Sequence, residues 1–481
     1  MLWSSASYGT IQVLSLLRGI ILARILLPED FGVYALATSF IGLIATIGNV
    51  GIGQFVMYKQ DADLERSATT CFWINALLGS AITLLMIAAA PMFSAFYGRP
   101  ELTSMIICLA GSFLLQFICT IHLSLLRKSM RFEILSLINI IVNVVLLGLT
   151  IILALSGYRA WSFILAALGS NLLNLLFLLM VSRWLPRLKI YKEVWREVCR
   201  FGFIYVATAA AWFLLFNIDN FIVSKFLGMR SLGIYALAYS YAMLPSVAVT
   251  SITGGISSPV LASLRGDKTR FENFFLRANR YMALSSCAVG IFLIISAPNL
   301  FIVLFNDKWN EAILPFQVLV GYGITRALYP DVLLPLGRVS VSLWFAIALL
   351  PVALIAISLG LSFGPFGVAV GVIATLGLSP IAFIPIIARV AGFQLKDVLI
   401  TNLIILLSCG LMIGVGLIVQ KYYLGVARGN LLSDSILSLI CCLVFVGIVF
   451  KVIPHMKSDL RAMLASLILS QRVSSLAKES E

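Results

Sequence analysis

Residues 21–37 read ILARILLPEDFGVYALA, a short charged turn between two apolar runs. Pro28 suits the first position of a helix, because its missing backbone N–H has no helical partner there. Glu29 and Asp30 follow in the first turn, where negative charge interacts favourably with the helix dipole. Arg24 lies just before the turn. The stretch therefore predicts a helix that ends in a cation, a tight connection, and a second helix that begins with two acids.

The composition indicates what surrounds these helices. Apolar residues make up 61% of the 481 residues and charged residues 11%, against about 45–50% and about 25% in ordinary globular chains. With a mean hydropathy of +1.05, most of the chain is solvated by lipid. Apolar runs of about 20 residues can each cross a ~30 Å hydrocarbon core. They predict an all-α polytopic membrane protein of about fourteen transmembrane helices, near 4–26, 31–56, 69–96, 102–126, 133–156, 160–182, 201–227, 232–260, 281–305, 312–337, 341–362, 366–388, 398–420 and 433–453.

The turn pattern occurs twice. Residues 31–39 (FGVYALATS) and 232–240 (LGIYALAYS) are identical at six positions, at a constant offset of 201 residues. The same offset relates Arg24 to Lys225. Because the offset contains six predicted spans, an even number, both copies cross the membrane in the same direction. The repeat therefore predicts two six-helix lobes related by a parallel pseudo-two-fold axis along the membrane normal.

The spans and the repeat together divide the chain. We expect an N-lobe at 1–183, a basic amphipathic cytoplasmic linker at 184–200, a C-lobe at 201–389, two further spans within 390–453, and a cytoplasmic amphipathic tail at 454–481. Linker residues 184–199 and the tail each place apolar residues on one face, which is typical of helices at the lipid headgroup boundary. Solvated loops are the alternative.

The positive charge has an explanation that needs no nucleic acid. The chain carries 34 Lys and Arg against 20 Asp and Glu, a net charge of +14, but no soluble basic domain exists to bind nucleic acid. With the N-terminus inside, 24 of the 34 cations fall in cytoplasmic segments and 8 outside. This bias predicts that both termini are cytoplasmic.

Ionisable groups within the spans are candidates for a substrate cavity, because a charge at mid-bilayer costs about 2.5–3.5 kcal/mol on insertion scales. The candidates are Arg18, Asp219, Arg326 and Asp331, with Asn217 and Asn220 beside Asp219. The spans also hold other amides, namely Asn49, Gln54, Asn75, Gln116, Asn139, Asn143, Asn171 and Asn174. A water-filled lumen accounts for so many polar groups, and hydrogen bonding between helices is the alternative.

The offset of 201 also maps Arg18 onto Asp219. We expect these opposite charges to face each other across the cavity and to pair when the outer side is closed. The alternative is that each is satisfied by neighbours in its own lobe.

The string at 21–37 resembles the signature of the polysaccharide transporter family, the Wzx-type O-antigen and exopolysaccharide flippases of the multidrug/oligosaccharidyl-lipid/polysaccharide exporter superfamily. The resemblance implies two six-helix lobes, with two C-terminal helices in some members, that work by alternating access in a bacterial inner membrane. It implies an anionic oligosaccharide on a polyprenyl pyrophosphate as substrate. We expect Arg24, Pro28, Glu29, Asp30 and Lys225 to form a motif at the gate. Members usually carry a basic segment before the first helix, whereas this chain begins MLW, as a truncated or misassigned start would.

Other function classes fit less well. An ion-coupled multidrug or small-molecule exporter of the same superfamily would favour carboxylates over arginines within its spans. The spans here hold two arginines and two aspartates, which leaves that alternative open. A glycan-polymerising enzyme needs a sizeable extramembrane domain, and the chain has no phosphate-binding loop. Two isolated histidines and no CxxC predict no metal site and no cofactor. Expected partners are the lipid-linked glycan, membrane lipids, polysaccharide polymerase and chain-length proteins, and H⁺ or Na⁺ as coupling ion.

The topology can be tested by cysteine-accessibility labelling in intact cells. Single cysteines at both termini should be protected from impermeant reagents, and cysteines in the loops at 157–159 and 421–431 should react. A periplasmic C-terminus would require an odd number of spans and would contradict the count of fourteen.

Overall fold

The structure, a computed structural model, describes residues 2–48, 52–53, 56, 64–187, 189–249, 264, 267–328, 338–391, 394–422, 431–453 and 456. Its α-helices are α1 (Leu2–Ile25), α2 (Pro28–Gly48), α3 (Leu64–Tyr97), α4 (Glu101–Lys128), α5 (Phe132–Leu155), α6 (Trp161–Ser182), α7 (Lys192–Phe226), α8 (Gly228–Ala242), α9 (Lys268–Phe305), α10 (Ile313–Arg326), α11 (Val339–Gly360), α12 (Gly364–Val372), α13 (Ser379–Ala391), α14 (Leu395–Tyr422) and α15 (Leu431–Val452). Two 3₁₀ turns (Asp307–Ala312 and Leu361–Phe363) and a π-helical turn (Ile373–Gly377) complete the elements.

The spans agree with the sequence. Eleven helices of the described residues are long and apolar enough to cross a membrane. One of them, Val339–Val390, has 52 residues and covers two predicted spans. Helices α2 and α10 match two more predicted spans, 31–56 and 312–337, whose remaining residues are mostly outside the described ranges. The expected all-α membrane protein of about fourteen passes is confirmed.

The chain reverses direction within Val339–Val390. Gly364 has a φ of +65°, in the left-handed region that favours glycine. Gly360 and Gly367 pack back to back, and a Cβ on either one would collide with the carbonyl oxygen of the other. Helices α11 and α12 therefore form a close hairpin, and this one apolar stretch supplies two passes.

The fold contains two compact units. Unit 1 comprises Met1–Tyr241, Phe301–Leu319 and Gly337–Ser379, and unit 2 comprises Ala242–Leu300, Val320–Leu336 and Pro380–Glu481. In unit 1, α4 packs on α3 and α6, α5 packs on α1 and α6, and α7 packs on α2 and α11. The division into lobes and linker at 183, 200 and 389 stays a prediction.

Unit 2 joins its last two helices to α9 through buried polar groups. The Asp434 carboxylate in α15 accepts hydrogen bonds from Asn299 of α9 at 2.6 Å and from Gln420 of α14 at 2.7 Å. One turn on, Ser438 accepts from Ser296 at 3.2 Å. Because lipid offers polar groups no alternative partners, these bonds fix the register of α14 and α15 against α9.

The predicted linker helix differs from the observed one. Residues 184–187 and 189–191 are not helical, and α7 begins at Lys192 and continues unbroken to Phe226. Arg183 ends α6 in the left-handed conformation, with φ 47°. Pro186 then disfavours a helical residue before it. An interfacial helix over 184–199 is therefore wrong in its first half.

The two copies of the repeated sequence contact each other directly in unit 1. A Cβ on Gly32 of α2 would collide with the carbonyl oxygen of Met229, and a Cβ on Gly233 of α8 would collide with that of Pro28. The offset of 201 relates Gly32 to Gly233 and Pro28 to Met229. This reciprocity is what a two-fold axis produces. We call these four residues the motif contact, and the end of unit 1 that holds them the motif end.

Cations extend the same symmetry. Arg24, at the end of α1, donates through Nε to the Leu304 carbonyl at 2.9 Å and through Nη2 to the Val303 carbonyl. Lys225, its equivalent at the end of α7, donates to the carbonyl of Phe96, at the end of α3. Each cation therefore caps the carboxyl end of a helix from the other repeat, where positive charge is favourable.

One side of the motif end has additional bonds. The Lys308 ammonium donates to the carbonyls of Arg24 at 2.8 Å and Leu26 at 2.7 Å, and the Trp309 indole donates to that of Ala23 at 2.8 Å. Burial lowers the pKa of Lys308, and the nearby Asp30 carboxylate opposes that shift. The end of α1 is thus capped by the segment that follows α9, while Arg24 caps α9 in return.

The motif contact predicts that Gly→Ala substitutions there lower the stability of the protein, although the same substitution elsewhere in a helix raises it. Gly→Ala in a helix normally stabilises by about 1 kcal/mol, but Gly32→Ala or Gly233→Ala should destabilise by about 1–3 kcal/mol through overpacking. Gly148→Ala is the matched control, because nothing lies within 4 Å of its Cβ position. Thermal unfolding in detergent measures all three. Equal melting temperatures for Gly32→Ala and Gly148→Ala would contradict the contact.

Candidate functional site

The larger of two cavities described in unit 1, which we call the main cavity, has a volume of about 780 Å³ and lies among α2, α3, α4, α6 and α7. Its lining consists of Gly42, Ala45, Thr46, Ile52, Gly53, Asn75, Phe113, Gln116, Phe117, Cys119, Thr120, Leu123, Ser124, Arg127, Asn171, Asn174, Ala209 and Phe213. Small residues, aromatic rings, hydroxyls and amides dominate this list, and it contains no carboxylate. Such a surface suits a neutral polar or anionic ligand.

The cavity lies away from the motif end. On α2 the lining begins at Gly42, fourteen residues after Pro28, which is about 21 Å along the helix axis. On α4 it extends from Phe113 to Arg127 in the last turn, again about 21 Å. Unit 1 is therefore closed by backbone contact at the motif end and hollow toward the opposite end.

Two of the cavity amides serve the fold. Asn75 donates to the Phe117 carbonyl at 2.5 Å, joining α3 to α4, and Asn171 donates to the Ser112 hydroxyl at 2.6 Å, joining α6 to α4. Two others are available. Among the described residues, no hydrogen bond is found for the side-chain amides of Gln116 and Asn174. These two groups can exchange hydrogen bonds with a ligand at no cost to the helix packing.

The predicted pair of Arg18 and Asp219 is not observed. Arg18 is half-buried within electrostatic range of the hydroxyls of Tyr34 and Tyr241, and no hydrogen bond or ion pair of its guanidinium is found in the described part of the chain. Asp219 is 2% exposed and accepts from the Tyr235 hydroxyl at 2.5 Å and from the backbone N–H of Asn220 at 2.9 Å. The alternative, local satisfaction of Asp219, describes this structure.

The neighbouring amides are also used locally. Asn217 donates to the Phe213 carbonyl one turn earlier at 2.9 Å, and Asn220 donates to the Ser39 hydroxyl of α2 at 3.0 Å. Neither of them lines the main cavity, and neither do Arg18 and Asp219.

Arg326, from the second pair of predicted charges, lies in unit 2. Arg326 is the last residue of α10 and is followed by a turn at 327–328, so it does not lie within a continuous helix over 312–337. It is exposed and donates to the Tyr322 hydroxyl at 3.4 Å. Asp331 lies outside the described residues. Contact of these two residues with substrate stays a prediction.

The motif residues have structural partners. Asp30 is 5% exposed, accepts from the backbone N–H of Leu27 at 3.0 Å, and pairs with Arg159 at 3.1 Å. Its bond to Leu27 is half of a capping box, which fixes the start of α2. Pro28 is buried and Glu29 is exposed. The charged turn thus positions α2 for the motif contact.

The cavity amides belong to the larger set of amides within the predicted spans, and no sequence pattern distinguishes them from the rest. Of those amides, Asn75, Gln116, Asn171 and Asn174 line the cavity. Arg127 lies just beyond the predicted span 102–126, where the bias of loop cations toward the cytoplasm accounts for it. The recurrence of amides in the third, fourth and sixth spans is the sequence signal for this cavity. The direction in which each amide faces depends on how its helix is rotated, which the sequence does not determine.

Comparison with known sequences places these features in a family. A family model described as polysaccharide biosynthesis protein matches residues 21–314. The teichuronic acid biosynthesis protein TuaB of Bacillus subtilis (strain 168) is 24% identical over 351 residues, 71% of this chain and 72% of that one. The succinoglycan biosynthesis transport protein ExoT of Rhizobium meliloti (strain 1021) is 26% identical over 292 residues, 61% of this chain and 59% of that one. The lipopolysaccharide biosynthesis protein WzxC of Escherichia coli (strain K12) is 24% identical over 358 residues, 71% of this chain and 70% of that one.

Solved structures show the same fold. Lipid II flippase MurJ in an inward closed conformation matches with a TM-score of 0.70 at 15% identity, over 94% of this chain and 99% of that one. An inward-facing multidrug resistance MATE family transporter of the MOP superfamily matches with a TM-score of 0.53 at 14% identity, over 93% and 95%. The resemblance seen at residues 21–37 is confirmed. The matched residues include both copies of the repeat and all five helices that line the main cavity, so the chain belongs to the polysaccharide biosynthesis protein family.

Proposed function

We propose that this protein is a flippase that moves a polyprenyl-pyrophosphate-linked oligosaccharide across a bacterial inner membrane. The glycan is a repeat unit of O-antigen, capsule or exopolysaccharide. The observation that carries the proposal is the main cavity, about 780 Å³ of space lined by amides, hydroxyls and Arg127 and lying away from the helix contact at the motif end. The names of the relatives, which concern teichuronic acid, succinoglycan and lipopolysaccharide, support a glycan substrate.

The mechanism we propose is alternating access. With both termini cytoplasmic, the motif end is periplasmic and the cavity receives substrate from the cytoplasmic side. Separation of Gly32 from Met229 and of Gly233 from Pro28, with release of the helix caps made by Arg24 and Lys225, would open the periplasmic side. Polysaccharide polymerase and chain-length proteins would then act on the delivered glycan.

The cavity lining favours this substrate over a cationic drug. A multidrug exporter for cations needs carboxylates in its cavity, and the main cavity has none among its lining residues. The lining also supports a non-enzymatic role, because the polar groups of the main cavity are amides, hydroxyls and one arginine, which provide no acid–base pair.

Asp219 is our candidate for coupling to H⁺ or Na⁺. It is a buried intramembrane carboxylate, and no cationic partner is found for it in the described part of the chain. A charge at such a position is costly, so it is expected to take up a proton or a cation during the cycle.

The proposed function predicts an intermediate that accumulates. A deletion strain should build up the complete lipid-linked repeat unit on the cytoplasmic side, measured by mass spectrometry of extracted lipids, and restoring the gene should reverse this accumulation.

The double variant Gln116→Leu with Asn174→Leu should reduce export at least tenfold at normal protein level, since lost hydrogen bonds to buried ligand groups are expensive. Asn143→Leu is the control, because the one bond found for the Asn143 side chain among the described residues goes to the Asn139 carbonyl of its own helix, at 2.8 Å. Normal export without any accumulated lipid-linked glycan would refute the function.

The coupling role predicts loss of gradient dependence. In proteoliposomes, Asp219→Asn should abolish the stimulation of transport by an imposed pH or Na⁺ gradient. Asp434→Asn serves as control, because this buried carboxylate already has two amide donors in unit 2. If Asp219→Asn keeps the wild-type response, the coupling site lies elsewhere.

A further inference from the structure

Arg127, in the last turn of α4, lines two cavities at once. One is the main cavity. The other, which we call the side cavity, has a volume of about 290 Å³ and lies among α1, α4 and α5. Leu123, one turn earlier on α4, is the only other lining residue that the two cavities share. Arg127 therefore stands where the two spaces meet.

The two cavities differ in chemistry. The side cavity has an apolar wall formed by Ile11, Leu123, Phe132 and Leu135. Its polar residues are Ser7, Tyr8, Ser136 and Asn139, and the Ser7 hydroxyl is already used in a 3.4 Å bond to the Ser136 carbonyl. The main cavity instead presents the amides of Gln116 and Asn174, for which no partner is found in the described part of the chain. Together the two spaces match an amphiphile with a polar head and an apolar tail.

The charge at the junction is available for binding. Arg127 is exposed, and among the described residues its guanidinium has no hydrogen bond or ion pair. By contrast, Arg24 and Lys225 cap helix ends and Arg159 pairs with Asp30. A guanidinium presents a planar fork of donors that matches phosphate oxygens, and it stays charged when it is desolvated.

We propose that Arg127 binds the phosphate groups of the lipid carrier, with the sugars in the main cavity and the first part of the prenyl chain in the side cavity. This inference rests on the proposed function and names the residue that recognises the carrier. Arg127 is not among the cavity candidates that the sequence predicts, whose two cations are Arg18 and Arg326. Entry of the carrier chain beside α1 and α5 follows from the proposal.

Binding of short carrier analogues tests the site without transport. The purified protein in detergent is titrated with farnesyl pyrophosphate, with inorganic pyrophosphate and with farnesol. Wild-type protein should bind farnesyl pyrophosphate at least tenfold more tightly than either fragment, because only the whole molecule spans head and tail sites. Arg127→Gln should weaken the binding of farnesyl pyrophosphate at least tenfold, and Arg127→Lys should restore part of the lost affinity.

Two further variants separate the subsites. Arg131→Gln removes an exposed cation that lies four residues further along the chain, before α5, and lines neither cavity, so it should leave affinity unchanged. Ile11→Trp fills the side cavity, and it should reduce farnesyl pyrophosphate binding to the level of inorganic pyrophosphate. If Arg127→Gln binds farnesyl pyrophosphate like the wild type, or Arg131→Gln weakens it equally, the proposal is wrong.

Competition identifies the source of the phosphate. Phosphatidylglycerol at equal concentration should not displace farnesyl pyrophosphate. Displacement would show a site for bulk anionic phospholipid and would overturn a carrier site. Failure of the proposed function can be distinguished from failure of the Arg127 site. If binding depends on Arg127 but the deletion strain accumulates no lipid-linked glycan, the binding site stands and the flippase role is refuted. Accumulation together with no Arg127 effect would do the reverse.

Discussion

The structure of unit 1 depends on a backbone contact between two glycines that occupy equivalent positions in the repeat. Gly32 and Gly233 have no Cβ, so α2 and α8 meet at a distance that any other residue would prevent. Everything else at the motif end is arranged around that contact. Asp30 fixes the start of α2, Arg24 and Lys225 cap helices of the opposite repeat, and Lys308 and Trp309 cap α1. Bringing the helices together at one end leaves room for a cavity at the other.

The cavity exists because its polar groups divide between two tasks. Asn75 and Asn171 bind neighbouring helices and hold the walls apart at fixed positions. Gln116, Asn174 and Arg127 remain unpartnered among the described residues. In hydrocarbon, unsatisfied polar groups are expensive. Their presence at one surface therefore indicates a space that water or a polar ligand fills.

Much of the fold was predictable from the sequence, and less of the site. Span length and the identical core of residues 31–39 and 232–240 determine the helices, their number and the parallel repeat. The offset of 201 matches Arg18 to Asp219 in depth but says nothing about helix rotation. Tyr235, in the next helix of the same repeat, lies closer to Asp219 and satisfies it. The sequence does not identify Arg127 as a site residue, because the bias of cations toward cytoplasmic loops also predicts a cation at this helix end.

The reciprocal motif contact also has a consequence for the origin of the chain. Two half-length subunits that associate about an exact two-fold axis make one contact twice, so a single glycine codon would serve both sides. Fusion of two such genes would leave the arrangement seen here, in which Gly32 and Gly233 meet in one polypeptide. Once fused, each copy can diverge while keeping the geometry, as Arg24 and Lys225 have done by capping α9 and α3 with different cations. The Lys308 and Trp309 bonds, added to the α1 side, are then an asymmetry that a homodimer could not have acquired.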